Sequence, residues 1–262
     1  MRIISISAVK GGVGKTTITF NYGEWLSSQG YNVLLIDTDH QCSLSQTYNL
    51  FTNEETIYNA FVNKDVNIHQ IHQNLSIIPA SPMLDELEVE LSKKHNKDLL
   101  LMMWLEDNVD RIKDFDFILI DCHPDFQTVT RNAIAVSHYI ISPIEPSQYG
   151  YMSKSLLLER LENFRDEVID ARTRETYISA LPYFIGNRIR HNTKSSREFS
   201  DKISQDKGTI AMIPEKELFN RSTLDGIPLV QMEKDKDVAK TNKAFFEKLN
   251  SAFEQITEKV SE

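Results

Sequence analysis

The stretch Ile4-Ser5-Ile6-Ser7-Ala8-Val9-Lys10-Gly11-Gly12-Val13-Gly14-Lys15-Thr16-Thr17 decides the fold. A short apolar run breaks into glycines flanked by two lysines, and a helical pattern follows from residue 16. This strand-to-helix context is what a phosphate-binding loop requires. Glycines let the backbone curl so that successive N–H groups converge on a phosphate, and the positive end of the following helix strengthens that field. In this reading the backbone of the glycine-rich loop supplies the amides. Lys15 reaches the β- and γ-phosphates of ATP, and the Thr16 hydroxyl binds Mg²⁺. The general pattern GxxxxGK[ST] is not met, because Val9 stands where its first glycine belongs. A second lysine, Lys10, precedes the glycine pair instead. The bland alternative is a glycine-rich turn with two solvated lysines, and the flanking strand and helix weigh against it.

Outward from this loop, short apolar runs alternate with longer helical patterns, as in a mostly parallel α/β sheet with helices on both faces. Strands are expected at 3–9, 33–37, 75–79, 117–121, 139–143, 177–185 and 209–213. Helices are expected at 16–29, 83–95, 97–113, 128–137, 152–171 and 237–260. No repeat, low-complexity stretch or Pro/Ser-rich linker divides the 262 residues, so residues 1–262 read as one P-loop domain. A formal net charge of −9 argues against a uniformly basic surface, though not against a local basic patch. Cys42 and Cys122, without a CxxC pair or a secretory leader, read as reduced thiols in a cytoplasmic protein. No apolar stretch is long enough to span a bilayer.

Two of the apolar runs end in carboxylates. Val33-Leu34-Leu35-Ile36-Asp37-Thr38-Asp39 ends in two, and Phe117-Ile118-Leu119-Ile120-Asp121 ends in one. In a parallel sheet such ends share an edge with the phosphate loop, which is where ligands bind. A lone strand-final Asp is more often a helix cap. Three on one edge favour a role with Mg²⁺ or with an attacking water.

With Lys10, Asp39 and Asp121 in place, the chain resembles the ParA/MinD family of deviant Walker A ATPases, and within it the short, Soj-like partition ATPases. The resemblance rests on KGGVGKTT at 10–17, VLLIDTDHQ at 33–41, NLSIIPAS at 74–81 and FILIDCHP at 117–124. ISPIEPS at 141–147, Asn187-Arg188, IPE at 213–215 and GIPLV at 226–230 extend it over nearly the whole chain. It implies that Lys10 crosses to the ATP of a partner subunit in a nucleotide-sandwich homodimer. It implies that Asp39 positions the attacking water and that Thr16, Asp39 and Asp121 serve Mg²⁺. It also implies that Gly11, Gly12, Val13, Gly14 and Thr17 supply backbone amides and a hydroxyl to the nucleotide. Asn187 and Pro214 fall, by a looser match, where the family lines its adenine pocket. His40 and His123 stand where the family usually has proline, either as neutral loop variation or as a pH-sensitive element beside the site.

The phosphate loop does not say what hydrolysis is for. The resemblance favours DNA segregation, in which the ATP-bound dimer binds double-stranded DNA without sequence preference and releases it after hydrolysis. Arg188, Arg190, His191, Lys194, Arg197 and Lys202 form a basic cluster suited to a phosphate backbone, although an ordinary charged helix face would look similar. The implied trigger is a ParB-like centromere-binding protein, and the implied location is the nucleoid. The chain begins almost at its first strand, so no operator-reading domain is expected ahead of it. A MinD-like membrane ATPase would need a basic amphipathic tail, and EKLNSAFEQITEKVSE at 247–262 carries more glutamates than lysines. An iron–sulfur reductase would need bridging cysteines that Cys42 and Cys122 do not match. A biosynthetic ATP-dependent enzyme on the same scaffold stays open.

Overall fold

Runs of Ile, Leu and Val that are apolar on both faces can only be satisfied between two layers of helix, and that is where they lie. The computed structural model describes residues 1–190, 198–199, 201–203 and 205–262. His191, Lys194 and Arg197 of the basic cluster lie outside the described residues. The strands are β1 (Arg2–Ile6), β2 (Val33–Asp37), β3 (His69–His72), β4 (Leu75–Ile78), β5 (Phe117–Asp121), β6 (Tyr139–Ile144), β7 (Leu181–Ile189) and β8 (Thr209–Pro214). They form one eight-stranded sheet in the order β3-β4-β2-β5-β1-β6-β7-β8. Every neighbouring pair is parallel except β3 with β4. Every residue of β2, β5 and β6 is buried.

The helices are α1 (Lys15–Ser28), α2 (Ser43–Thr47), α3 (Ile57–Phe61), α4 (Leu84–Leu91), α5 (Leu100–Asp107), α6 (Val109–Ile112), α7 (Thr128–Val136) and α8 (Gln148–Glu167). After β8 come α9 (Glu217–Asp225), α10 (Leu229–Met232), α11 (Lys236–Thr241) and α12 (Lys243–Ser261). α1 lies tight on one face of the sheet. A Cβ at Gly23 would come within 2.7 Å of the Leu35 side chain in β2, so any larger residue here would force Leu35 to shift. α12 then packs on α1: the Phe253 ring is 5.2 Å from Tyr22 and 5.8 Å from Trp25. Tyr22 and Thr257 share a hydroxyl hydrogen bond of 3.0 Å, and the Trp25 indole N–H donates to Asn250 at 3.1 Å. The other face is covered by α3, α4, α5 and α7 through Phe61, Leu87, Leu91, Leu101, Trp104 and Ala133. α8 seals β6 and β7 with Leu157, Leu161 and Phe164.

Several expected boundaries move, each for a local reason. The expected helix at 97–113 is two helices, and the one at 237–260 is α11 and α12. Both breaks fall at an asparagine, Asn108 and Asn242, whose side-chain amide donates to the carbonyl four residues back at 2.9 Å. That bond offers the backbone an alternative to the helical ladder. α8 begins earlier than expected because the Ser147 hydroxyl caps the Gly150 N–H at 3.1 Å. α4 stops at Leu91, short of the expected 95. The strand expected at 177–185 runs instead from Leu181 to Ile189, which carries Asn187 and Arg188 to the ligand edge. β1 ends at Ile6 rather than at 9, where the chain turns into the phosphate loop. β3 was not anticipated, since His-Gln-Ile-His holds one apolar residue and half-exposed side chains at the sheet's edge.

Among the described residues no helix is long and apolar enough to cross a membrane. The apolar face of α12 is buried in the body, with Phe246, Leu249, Phe253 and Ile256 each at most 2% exposed. Phe253→Ala should therefore cost about 3–5 kcal/mol of folding stability, read as a lower midpoint in chemical denaturation. The parent chain should not co-sediment with anionic liposomes.

Candidate active site

The loop between β1 and α1 is shaped by two left-handed glycines, Gly12 at φ 75° and Gly14 at φ 92°. Gly14 cannot be replaced without strain, because an added Cβ would also lie 2.7 Å from the Asn187 amide nitrogen. That same amide donates to the Val13 carbonyl at 2.8 Å and ties the loop to β7. A cavity of about 760 Å³ opens over the loop, lined by Gly12, Gly14, Lys15, Thr16, Thr17 and Asp39. A second, of about 670 Å³, adjoins it past Gly14 and Thr17 and is lined by Asn187, Pro214 and Phe219. The residues expected to meet phosphates and those expected to meet adenine thus line neighbouring cavities.

The three strand-end carboxylates converge beneath the loop but stand in different surroundings. Asp37 and Asp121 are register partners on adjacent parallel strands, and both are fully buried. Asp37 organises the loop after β2: it accepts N–H bonds from Asp39 (3.1 Å) and Ser45 (2.9 Å) and the Ser45 hydroxyl (2.7 Å). Burial raises its carboxyl to about 6, against the pull of those hydrogen bonds. The 7%-exposed Asp39 lines the phosphate cavity, with one oxygen accepting the Gln41 N–H at 2.9 Å. Asp121 accepts the Thr19 hydroxyl at 3.1 Å through Oδ1, while its buried Oδ2 has no partner among the described residues. Burial, then the charge of Asp37, push Asp121 up to about 8, opposed by the Thr16 hydroxyl and the Lys15 ammonium.

An orphaned carboxylate oxygen beside a threonine hydroxyl and a lysine suits a hard divalent cation, which takes oxygen ligands. These residues fit Mg²⁺. Asp37 was read from sequence only as one of three strand-end carboxylates, with no part of its own, and Thr19 was not singled out. The available signals were the position of Asp37 in a wholly apolar run and that of Thr19 four residues after Lys15 on α1.

Lys10 does not line the phosphate cavity; it borders a neighbouring cleft with Tyr149, Met152 and Leu156. Its ammonium pairs with Glu145 Oε2 at 3.0 Å, and the other oxygen of Glu145 takes the Arg188 guanidinium at 2.6 Å. Glu145 is placed by a tight turn into α8, where a Cβ at Gly150 would come within 2.3 Å of the Glu145 carbonyl oxygen. Arg188 lines both cavities, so it faces the nucleotide site as well as solvent. Arg190 pairs with Glu215 through both Nε and Nη2, and Lys202 sits 4.3 Å over the Tyr151 ring. The structure therefore brings Lys15, Thr16, Asp39 and Asp121 together and sets Lys10 apart from them. Cys42 and Cys122 are buried thiols, both raised to about 12 chiefly by burial.

The pair of raised carboxylates gives a signed pH dependence. Between the ordinary 3.8 and about 8, the folded chain keeps on Asp121 a proton that the unfolded chain has lost. Its contribution is full below the lower value and disappears as pH rises through the upper one. Thermal melts in chelator should show the parent losing stability across that window and Asp121→Asn losing less.

Residues 1–173 match the family described as AAA domain, AAA_31. The Chromosome-partitioning ATPase Soj of Treponema pallidum is 34% identical over 159 residues, covering 58% of this chain and 60% of that protein. A putative plasmid partition protein of Borrelia burgdorferi B31, solved bound to AMPPNP, superposes with a TM-score of 0.75 at 24% identity. That match covers 98% of this chain and 96% of the other. The same fold, at 19% identity and a TM-score of 0.70, occurs in cobyrinic acid a,c-diamide synthase of Mycobacterium smegmatis, with 90% and 96% covered. The match spans 54% of the length of two mycobacterial relatives of unassigned role.

Proposed function

The chain belongs to the AAA_31 family and, with it, to the ParA/MinD group of P-loop ATPases, and on that premise we propose that it is a DNA-partition ATPase working as an ATP-sandwich homodimer. The observation that carries this reading is the placement of Lys10. It sits on the phosphate loop yet points away from its own phosphate cavity, toward an open cleft. A lysine so placed is available to the nucleotide of a second copy.

In the proposed cycle the loop amides and Lys15 hold the β- and γ-phosphates, and Asn187 and Pro214 border the base. Thr16 and Asp121 would hold Mg²⁺, which would supply neutralisation of the charge on the phosphates. Asp39 orients a water toward the γ-phosphorus; the new P–O bond forms as the bond to the bridging oxygen of ADP breaks. Asp37 keeps Asp39 in register through its hydrogen bonds to Ser45 and to the Asp39 N–H. Lys10 must leave Glu145 to cross the dimer interface, so Glu145 acts as a positioning residue for the monomer. The basic surface for DNA comprises Arg188, Arg190 and Lys202, with Lys194 and Arg197 outside the described residues. In the monomer Arg188 and Arg190 are matched to Glu145 and Glu215, which lowers their attraction for phosphate until those pairs exchange. A ParB-like protein is the proposed trigger.

The first test is binding to a long random-sequence duplex with ATP, with ADP and without nucleotide. Binding with ATP alone, weakened as salt rises, is the expected result; no binding in any state would remove the DNA role and leave the ATPase. Lys15→Ala should abolish ATP binding. Lys10→Ala should keep it and lose ATP-dependent dimerisation by light scattering, and a dimer of parental affinity would show the cross-subunit assignment to be wrong. Glu145→Gln should dimerise at lower ATP than the parent.

A further inference from the structure

The chemistry above uses neither His40 nor His123. His40 follows Asp39 directly on the loop after β2, and His123 lies two residues past Asp121 on the loop after β5. Their ring centroids are 4.4 Å apart with the planes inclined by 37°. One ring nitrogen of each and a carboxylate oxygen of Asp39 all lie within 4.8 Å of one another. Asp39 is buried and both histidines are half-buried, so the group is sheltered but reachable from solvent.

The surroundings already hold these groups in place. His123 Nδ1 pairs with Asp125 Oδ2 at 2.8 Å, which leaves Nε2 as the outward donor atom. Asp125 is fixed in turn, its other oxygen accepting the Gln127 N–H at 3.1 Å and the Thr130 hydroxyl at 2.8 Å. A carboxylate behind the far nitrogen of a histidine is the arrangement that orients metal-binding imidazoles and raises their basicity. The His40 carbonyl accepts the Cys42 thiol at 3.4 Å, which steadies that loop from the other side.

We propose that Asp39, His40 and His123 form a site for one transition-metal dication of the zinc class, bridging the loops after β2 and β5. Two imidazoles and a carboxylate are a zinc donor set that leaves a fourth position for water. Mg²⁺ prefers oxygen ligands, so the oxygen-rich position at Thr16 and Asp121 and this nitrogen-rich one select different ions. Tetrahedral bonds of about 2.0–2.2 Å set donor atoms about 3.3–3.6 Å apart, so binding needs only a small approach of side chains that already stand within 4.8 Å of one another. The bound ion takes up the Asp39 carboxylate. ATP binding, which the phosphate loop performs, persists while hydrolysis slows. That consequence rests on the proposed role of Asp39, whereas the metal site itself does not.

The test titrates the full chain, free of nucleotide and in the presence of Mg²⁺, with zinc chloride by calorimetry and with cobalt(II) by visible absorption. One equivalent per chain is expected, and tetrahedral cobalt bands without thiolate charge transfer, which would exclude Cys42 and Cys122 as ligands. The double variant His40→Ala/His123→Ala should lose that equivalent and keep the parental melting temperature and ATP binding. Asp125→Asn should weaken zinc by about 10–100-fold, as loss of an orienting carboxylate does. No binding, a thiolate band, or an equivalent retained by the double variant would overturn the site. At buffered free zinc, ATP turnover should fall in the parent and hold in the double variant. Zinc bound with unchanged turnover would overturn the clamp while leaving the site, and full turnover in Asp39→Ala would locate the fault in the role of Asp39 instead.

Discussion

Two carboxylates buried side by side at the ends of adjacent parallel strands are the constraint on which the rest of this structure depends. Asp37 and Asp121 are register partners with no exposure to water; burial raises the proton affinity of both, and the charge of Asp37 raises that of Asp121 further. Such a pair is costly to bury unless hydrogen bonds or a cation compensate it. Asp37 is compensated within the chain, by Ser45 and by the Asp39 N–H. Among the described residues, Asp121 is hydrogen-bonded at one oxygen only. Thr16 and Lys15 of the phosphate loop act on the same carboxyl, so a deficit of the free fold lies where a bound cation would relieve it.

The same division of labour recurs at Glu145. A single half-buried carboxylate satisfies both Lys10 and Arg188, one from the phosphate loop and one from the end of β7. Ion pairs at partly exposed positions hold only modest free energy, so this one can be exchanged for other partners at small cost. Its backbone is more firmly set than its charge contacts, because the turn at Gly150 leaves no room for a side chain. A rigid backbone under an exchangeable pair lets the charge contacts change without moving the turn that carries them.

The phosphate loop, β2, β5 and the convergence of Lys15, Thr16, Asp39 and Asp121 were legible because each depends on local chemistry. Glycine conformations, a strand-to-helix turn and apolar runs ending in Asp are written in consecutive residues. The helix breaks at Asn108 and Asn242 were not legible by periodicity, since the apolar spacing continues across them. They follow from single side-chain amides that reach back to a carbonyl. β3 escaped notice because an edge strand needs no apolar face, and the register of β7 escaped because Leu181–Ile189 is fixed by β6 and β8 rather than by its own sequence.

The sequence by itself determined the layered α/β class, the phosphate loop and which carboxylates end the central strands, since these are properties of short segments with fixed backbone periods. Tertiary structure alone decided which groups meet across long separations. It put Asn187 under Gly14, Glu145 between Lys10 and Arg188, α12 onto α1 rather than onto a membrane, and His40 against His123. The physical reason is that the parallel sheet brings strand ends together whatever their distance along the chain. Charge and ring contacts at that edge belong to strand order, which no local pattern encodes.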